Sequence, residues 1–188
     1  MSPIVENEEI VSPALHSTFR VERRYAQSPS RVFHAFGNKE LVRRWRVEDE
    51  GCEIHEFTFD FSVGGREVSR FTFAGGPEIR LDAEFHDIVP DQRIVFSYRM
   101  RAGSHPLSVS LTTVELASAG PGTRLTYTEQ LAILELFADE LDGNRQLLPI
   151  RVWKCLAFDD GGPVGIKLFG VALITERNAG AMNLYSRS

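Results

Sequence analysis

The middle of the chain alternates between apolar and polar residues over most of its length. Between residues 53 and 131 the alternation has a period of two, and short segments rich in Gly, Pro or Asp interrupt it. The pattern predicts six strands, at residues 53–63, 66–73, 79–86, 93–101, 107–111 and 122–131. Their connections are too short for the long crossovers that parallel pairing needs. The sequence therefore predicts an antiparallel meander with one apolar face and one polar face.

Two local patterns sharpen this prediction. Gly64-Gly65 is typical of a two-residue hairpin turn, so the strand before it is expected to continue through Phe61 and Val63. The fifth strand of the meander carries its apolar row at the odd positions Leu107, Val109 and Leu111. We expect this row to share the apolar face of the sheet.

A strand and a helical pair precede the meander. Residues 16–25 alternate as a strand, with Phe19 on one face. Ser28 followed by Pro29 is a helix start, and Asn38 is the predicted cap of a second short helix that ends near Trp45. Residues 1–15 lack periodicity, and we expect them to form a flexible arm. The helical pair is expected to cover part of the sheet.

A carboxylate interrupts the apolar row of the last strand. Glu129 shares its predicted face with Leu125, Tyr127 and Leu131. One interpretation places Glu129 at the rim of the strand, in water or paired with an arginine. The other places it in a pocket with Tyr127 and Tyr98, where it could accept a hydrogen bond from a ligand hydroxyl or amine. There it could also act as a base, if burial raises its pKa.

Composition and charge exclude several classes of function. A chain of 188 residues, 43% hydrophobic and 25% charged, is expected to form a single globular domain. Its net charge of -5 argues against nucleic acid as a partner, because phosphate binding needs concentrated Lys and Arg. No apolar run approaches the roughly 20 residues that cross a bilayer, and the acidic start is unlike a signal peptide. We therefore expect no membrane partner and a cytoplasmic location.

The chain lacks the sequence patterns of metal sites and of nucleophilic catalysis. Cys52 and Cys155 lie far apart, and the five histidines have no ligand spacing, so neither a disulfide, a metal site nor a cofactor is expected. No serine lies in a Gly-x-Ser-x-Gly segment. Three arginines surround Trp45: Arg43, Arg44 and Arg46. They could recognise an acidic ligand or form a solvated helix face, and Trp45 could line a cavity mouth or pack in the core.

In combination, these features resemble the helix-grip (START-like, SRPBCC) superfamily, and within it the branch named after the activator of the heat-shock-protein-90 ATPase. The resemblance rests on four segments, residues 28–45 (SPSRVFHAFGNKELVRRW), 60–67 (DFSVGGRE), 86–94 (HDIVPDQRI) and 122–130, which begins GTRL and ends TEQ. It implies an α+β fold in which the meander curves around a cavity. It also implies a long C-terminal helix that closes the cavity.

The end of the chain departs from that family pattern. A helix could begin at Leu134, Phe137, Ala138 and Leu141, but Gly143 and Pro149 limit it. Residues 150–158 have the pattern of a strand, 159–163 that of a turn, and 164–175 form an apolar segment. From residue 143 onward basic residues outnumber acidic ones by 6 to 3, the reverse of the preceding chain. We therefore predict a START-like domain at residues 16–142 and an atypical tail at 143–188.

The first functional hypothesis is a protein that binds a small hydrophobic or aromatic molecule without converting it and that could assemble as a homodimer. The predicted ligand-binding residues are Trp45, Phe59, Phe85, Phe96, Tyr98, Tyr127 and Glu129. A second hypothesis is a cyclase- or dehydratase-like enzyme that uses Glu129 in acid/base chemistry. A third, suggested by the name of the branch, is a chaperone-associated interaction module.

Overall fold

A single antiparallel sheet forms the body of the protein. The computed structural model describes residues 14–48, 50–134, 155–159 and 162–167. Its main sheet has seven strands, β1 (Leu15–Tyr25), β2 (Cys52–Phe59), β3 (Arg66–Phe73), β4 (Ile79–Val89), β5 (Arg93–Ala102), β6 (His105–Ala119) and β7 (Gly122–Ile133). The strand order is β1-β7-β6-β5-β4-β3-β2, so β2 to β7 are the predicted six-stranded meander and β1 extends it beside β7. The predicted α+β helix-grip fold is confirmed.

Two short helices and a π-helical turn connect β1 to β2. The helices are α1 (Pro29–Gly37) and α2 (Lys39–Val42), and the π-helical turn follows directly at Arg43–Val47. The Ser28 hydroxyl accepts a hydrogen bond from the Arg31 amide at 3.4 Å, and the Asn38 side chain accepts one from the Leu41 amide at 3.0 Å. Both caps are the ones that the sequence predicts, because short polar side chains satisfy the free amides of a first turn.

The sheet curves around the side that carries α1, which we call the inner face. Three register shifts interrupt its ladders, one each between β2 and β3, β4 and β5, and β5 and β6. Such bulges bend a strand and increase its twist. The buried core joins α1 to the inner face of the strands, and its members are Val32, Ala35, Phe36, Ala83, Phe85, Ile94, Phe96, Val114, Leu116 and Leu125.

The connection between β2 and β3 differs from the predicted two-residue hairpin. β2 ends at Phe59, and the six residues 60–65 form a longer loop that bonds to β4. The Gly64 amide donates to the Phe85 carbonyl at 2.7 Å, and the Phe85 amide donates to the Gly65 carbonyl at 3.0 Å. A Cβ on Gly65 would lie 2.4 Å from the Asp60 carbonyl oxygen. The glycine is therefore needed for close packing inside the loop.

The predicted inner row of β6 is wrong by one residue. Val109 and Leu111 are 47% and 42% exposed, so they lie on the outer face. The buried row is at the even positions Ser108, Ser110, Thr112, Val114 and Leu116. The pairing of β6 with β7 runs without a register shift from residue 108 to 119, so Val114 and Leu116 fix the orientation of the whole strand. The inner face consequently contains a polar stripe, formed by Ser108, Ser110 and Thr112.

Parts of the sequence-based organisation lie outside the described residues. These are residues 1–13 of the arm predicted at 1–15, the candidate helix through Phe137, Ala138 and Leu141, and the domain boundary at 142/143. The end of the predicted arm, Leu15, is the first residue of β1. In the tail, β8 (Cys155–Asp159) and β9 (Gly162–Lys167) form a separate two-stranded antiparallel sheet. They overlap the predicted strand at 150–158 and the start of the predicted apolar segment at 164–175.

Candidate functional site: a polar cluster on the inner face

Glu129 lies inside the protein and contacts two tyrosines. It is 1% exposed, in the middle of β7, where its cross-strand neighbours are Phe19 in β1 and Thr112 in β6. The Tyr98 hydroxyl donates a hydrogen bond to Glu129 Oε1 at 2.5 Å, and the Tyr127 hydroxyl donates one to Oε2 at 3.0 Å. Among the described residues no Arg, Lys or His forms an ion pair with this carboxylate. The rim interpretation of Glu129 is therefore wrong.

The environment of Glu129 alters the acidity of the whole cluster. Burial raises the pKa of Glu129, whereas the hydroxyls of Tyr98, Ser110 and Tyr127 and the charge of Arg46 act in the opposite direction. Burial, together with the neighbouring carboxylate, raises the pKa of Tyr98 and of Tyr127 well above the ordinary value. Both tyrosines consequently keep their protons and remain hydrogen-bond donors to Glu129.

The polar stripe of β6 lies beside this carboxylate. Thr112 Oγ1 is 3.4 Å from the Tyr127 hydroxyl, which extends the network from Glu129 to β6. Ser110, two residues along on the same face, is 2% exposed, and its Oγ makes no hydrogen bond of full geometry among the described residues. Its hydroxyl is nevertheless close enough to Glu129 and to Tyr98 to lower the pKa of both groups.

A second buried carboxylate lies nearby and is compensated by an arginine. Glu67 in β3 is fully buried, and Arg46 forms a salt bridge with its Oε2. The Ser69 hydroxyl donates to Glu67 Oε1 at 3.0 Å. Both oxygens of Glu67 are therefore bonded, which is the condition under which a buried charge is tolerated.

The π-helical turn places Arg46 over this inner face. The Glu48 amide donates to the Arg43 carbonyl at 3.0 Å, five residues back, and the Trp45 indole N–H donates to the Ala35 carbonyl at 3.0 Å. The Arg46 guanidinium carbon then lies 4.8 Å from the centroid of the Trp45 ring and 5.4 Å from that of Phe96. The three arginines around Trp45 thus differ, because Arg44 is exposed and Arg43 pairs with Glu48 at 3.3 Å.

Aromatic rings form the apolar part of the inner face. The Phe85 ring lies 5.7 Å from that of Phe59 and 5.7 Å from that of Phe96, and Phe96 stacks on Tyr98 at 6.2 Å. Tyr127 stacks on Phe19 at 6.3 Å. Of the seven predicted site residues, Phe85 and Phe96 belong to the buried core. Four others pack against it, namely Trp45, Phe59, Tyr98 and Tyr127, and Glu129 is hydrogen-bonded to the two tyrosines.

Sequence reasoning did not predict four polar members of the region, Glu67, Ser69, Ser110 and Thr112, and it named Arg46 only as part of a basic group around Trp45. The position of Ser110 could have been inferred from Val114 and Leu116, whose even numbering fixes which residues of β6 face inward. Arg46 had no comparable signal, since a π-helical turn is not encoded by a simple hydrophobic period.

The structure also has two open grooves, and the first of them reaches the polar cluster only at Ser110. One, of about 550 Å³, crosses the outer face beside Val109, Leu111 and Gln130. The other, of about 520 Å³, lies beside α1 between Phe33 and Phe61. Neither groove contains a predicted site residue. In the part of the chain that the structure describes, no cluster of three or more His, Cys, Asp or Glu is placed to hold a metal ion, and no helix is long and apolar enough to cross a bilayer.

Comparison with known proteins agrees with this geometry. Residues 26–146 match the family model described as "Activator of Hsp90 ATPase homolog 1-like protein". The chain belongs to this family. The resemblance predicted from residues 28–130 is therefore confirmed, and the SRPBCC fold with it. Membership supports a ligand-binding or Hsp90-associated domain, and none of the matched descriptions specifies a ligand.

Two solved structures of rhizobial proteins are similar to this member of the family. The Mll3558 protein from Rhizobium loti is 65% identical, with a TM-score of 0.61, over 66% of this chain and 84% of its own. A protein from Rhizobium leguminosarum is 34% identical, with a TM-score of 0.63, over 67% of this chain and 83% of its own. No curated protein matched the chain.

Proposed function

We propose that this protein binds a small, largely apolar molecule, hydrophobic or aromatic, on the inner face of its sheet. The observation that carries the proposal is Glu129, a fully buried carboxylate with two tyrosine partners and no ion pair among the described residues. Burying a carboxylate without an ion pair costs folding free energy, and buried ionisable groups of this kind cluster at functional sites. Small-molecule sites are usually lined by apolar side chains with a few convergent polar groups.

Fluorescence titration with N-phenyl-1-naphthylamine, a neutral probe of apolar sites, tests this proposal. We expect saturable binding with one site per chain, and native mass spectrometry of the purified protein is expected to detect a bound small molecule. Glu129→Gln should change the probe affinity, whereas Glu115→Gln, at an exposed position of β6, should leave it unchanged. Non-saturable binding by a folded protein, with nothing bound in the mass spectrum, would refute the proposal.

The same geometry supports proton transfer as a second candidate function. Burial raises the pKa of Glu129, which is the direction of change that acid/base catalysis by a carboxylate requires. Tyr98 and Tyr127 would orient the carboxylate. If the protein converts its native ligand, Glu129→Gln should abolish turnover and retain measurable binding. If the protein only binds the ligand, the wild type should release it chemically unchanged.

The family description favours a chaperone-associated module as a third candidate. The exposed side chains of Val109 and Leu111 on the outer face offer a small apolar contact area for a protein partner. Measurement of ATP hydrolysis by purified Hsp90, with and without this protein, separates this candidate from the first. A Val109→Ser/Leu111→Ser variant should lose any stimulation and still bind the fluorescent probe.

A further inference from the structure

The charges on the inner face do not balance. Within the described residues the buried charged side chains are those of Glu67 and Glu129. Arg46 is the cation that faces them, and its guanidinium is already bonded to Glu67. Arg46 thus compensates one of two negative charges. When Glu129 is ionised, the inner face therefore retains one negative charge without a cation of its own, beside the hydroxyls of Tyr98 and Tyr127.

Ser110 places a second polar group beside Glu129. Its Oγ is buried on the neighbouring strand and makes no hydrogen bond of full geometry among the described residues, yet its hydroxyl lies close enough to lower the pKa of the Glu129 carboxyl. Thr112 lies directly opposite Glu129, and Ser110 is the next residue on the same face, so their side chains are diagonal neighbours. A hydroxyl and a carboxylate side by side can both accept hydrogen bonds from one donor group.

The neighbouring rings suit a cation better than an anion. Tyr98 and Tyr127 contact Glu129 through their hydroxyls, and Phe96 and Phe19 stack on them. Aromatic faces attract cations by about 0.5–2 kcal/mol, more when water is excluded. A ligand anion would instead meet the charge of Glu129, and the charge of Arg46 is already paired with Glu67.

We propose that the polar end of the ligand is a protonated amine, which pairs with Glu129, donates to Ser110 and lies among the rings of Tyr98, Tyr127 and Phe19. This inference rests on the proposed binding function and specifies its ligand class as an aromatic or aliphatic amine. A bound ammonium favours the charged carboxylate and so opposes the burial that raises the pKa of Glu129.

A matched series of three probes tests the proposal: 2-phenylethylamine, 2-phenylethanol and 3-phenylpropionate. Each displaces N-phenyl-1-naphthylamine from the wild-type protein at pH 7. We expect the amine to bind at least about tenfold more tightly than the alcohol, which corresponds to about 1.4 kcal/mol, and the carboxylate to bind most weakly. Glu129→Gln should reduce the amine to the affinity of the alcohol, and Ser110→Ala should weaken it several-fold. Glu115→Gln is the control and should preserve the order.

The outcomes separate this inference from the function on which it rests. Saturable binding of N-phenyl-1-naphthylamine without preference for the amine overturns the inference and leaves the binding function standing. Equal amine affinity in the wild type and the Glu129→Gln variant also overturns it. If no probe binds saturably, both fail. Should Glu129→Gln not fold, as judged by circular dichroism, Ser110→Ala still decides, since unchanged amine affinity there contradicts the proposed contact.

Discussion

Replacing Arg46 with Met should destabilise the protein by about 3 kcal/mol. The change leaves Glu67 fully buried without its cation, and breaking a buried ion pair from one side costs about 3–5 kcal/mol. Met retains most of the apolar stem that packs on the Trp45 ring, although the cation–π contacts at 4.8 and 5.4 Å are lost. Ser69 still donates to Glu67, and Arg46 is 18% exposed, so water can partly replace the guanidinium. Both effects place the cost near the lower end of the range.

Urea denaturation followed by circular dichroism measures this cost, and a thermal scan should show a midpoint lowered by about 6–12 °C for a chain of this size. Arg44→Met is the matched control, since Arg44 is exposed in the same helical turn and its replacement should cost less than about 0.5 kcal/mol. In the double variant Arg46→Met/Glu67→Gln the uncompensated charge is gone, and at least half of the lost stability should return. Equal effects of the Arg46 and Arg44 substitutions, or a double variant as unstable as Arg46→Met, would refute the reasoning.

Three further predictions concern β7. Burial raises the pKa of Glu129, so the free energy of unfolding of the wild type should fall as pH rises from about 4 through the folded-state pKa. The Glu129→Gln variant should lack this fall. Urea denaturation from pH 4 to 8 measures it, and equal pH dependence of the free energy of unfolding in both proteins would contradict the prediction. Gly122→Ala should cost about 1–3 kcal/mol in urea denaturation, because its Cβ would lie 2.0 Å from the Tyr25 carbonyl oxygen; unchanged stability would show that this contact relaxes freely. Thr123→Val should cost about 1–3 kcal/mol by removing the 2.7 Å hydrogen bond to the Gln27 carbonyl, with an unaltered thermal midpoint as the contrary result.

Strand positions could be predicted from the sequence because half-buried strands carry a period of two. The alternation of Ile79, Leu81, Ala83 and Phe85 against charged residues leaves a single possible inner face for β4, and the structure has that face inward. Helix caps were equally legible, since Ser28 and Asn38 satisfy amides within three residues of themselves. These signals are local, and each is complete within a few residues.

The prediction of which side chains face inward was wrong for β6, where two local patterns compete. β6 carries apolar residues at odd positions near its start and at even positions near its end. From residue 108 to 119 its pairing with β7 has no register shift, so only one of these sets can be buried there. Burial of Val114 and Leu116 under α1 decided the outcome. Arg46 points inward because it pairs with Glu67, which is distant in the sequence. The residues around Arg46 therefore do not predict its direction.

The pairing of β1 with β7 has a consequence for how this protein forms during synthesis. Leu15 lies opposite Ile133, so one edge of the sheet joins the earliest described strand to the last strand of the meander. At about 5–20 residues per second, a ribosome needs at least several seconds to make the chain between these partners. During that interval the nascent β1 exposes Phe19 and Val21 without the strand that buries them, and transiently exposed apolar surface of this kind is prone to aggregation.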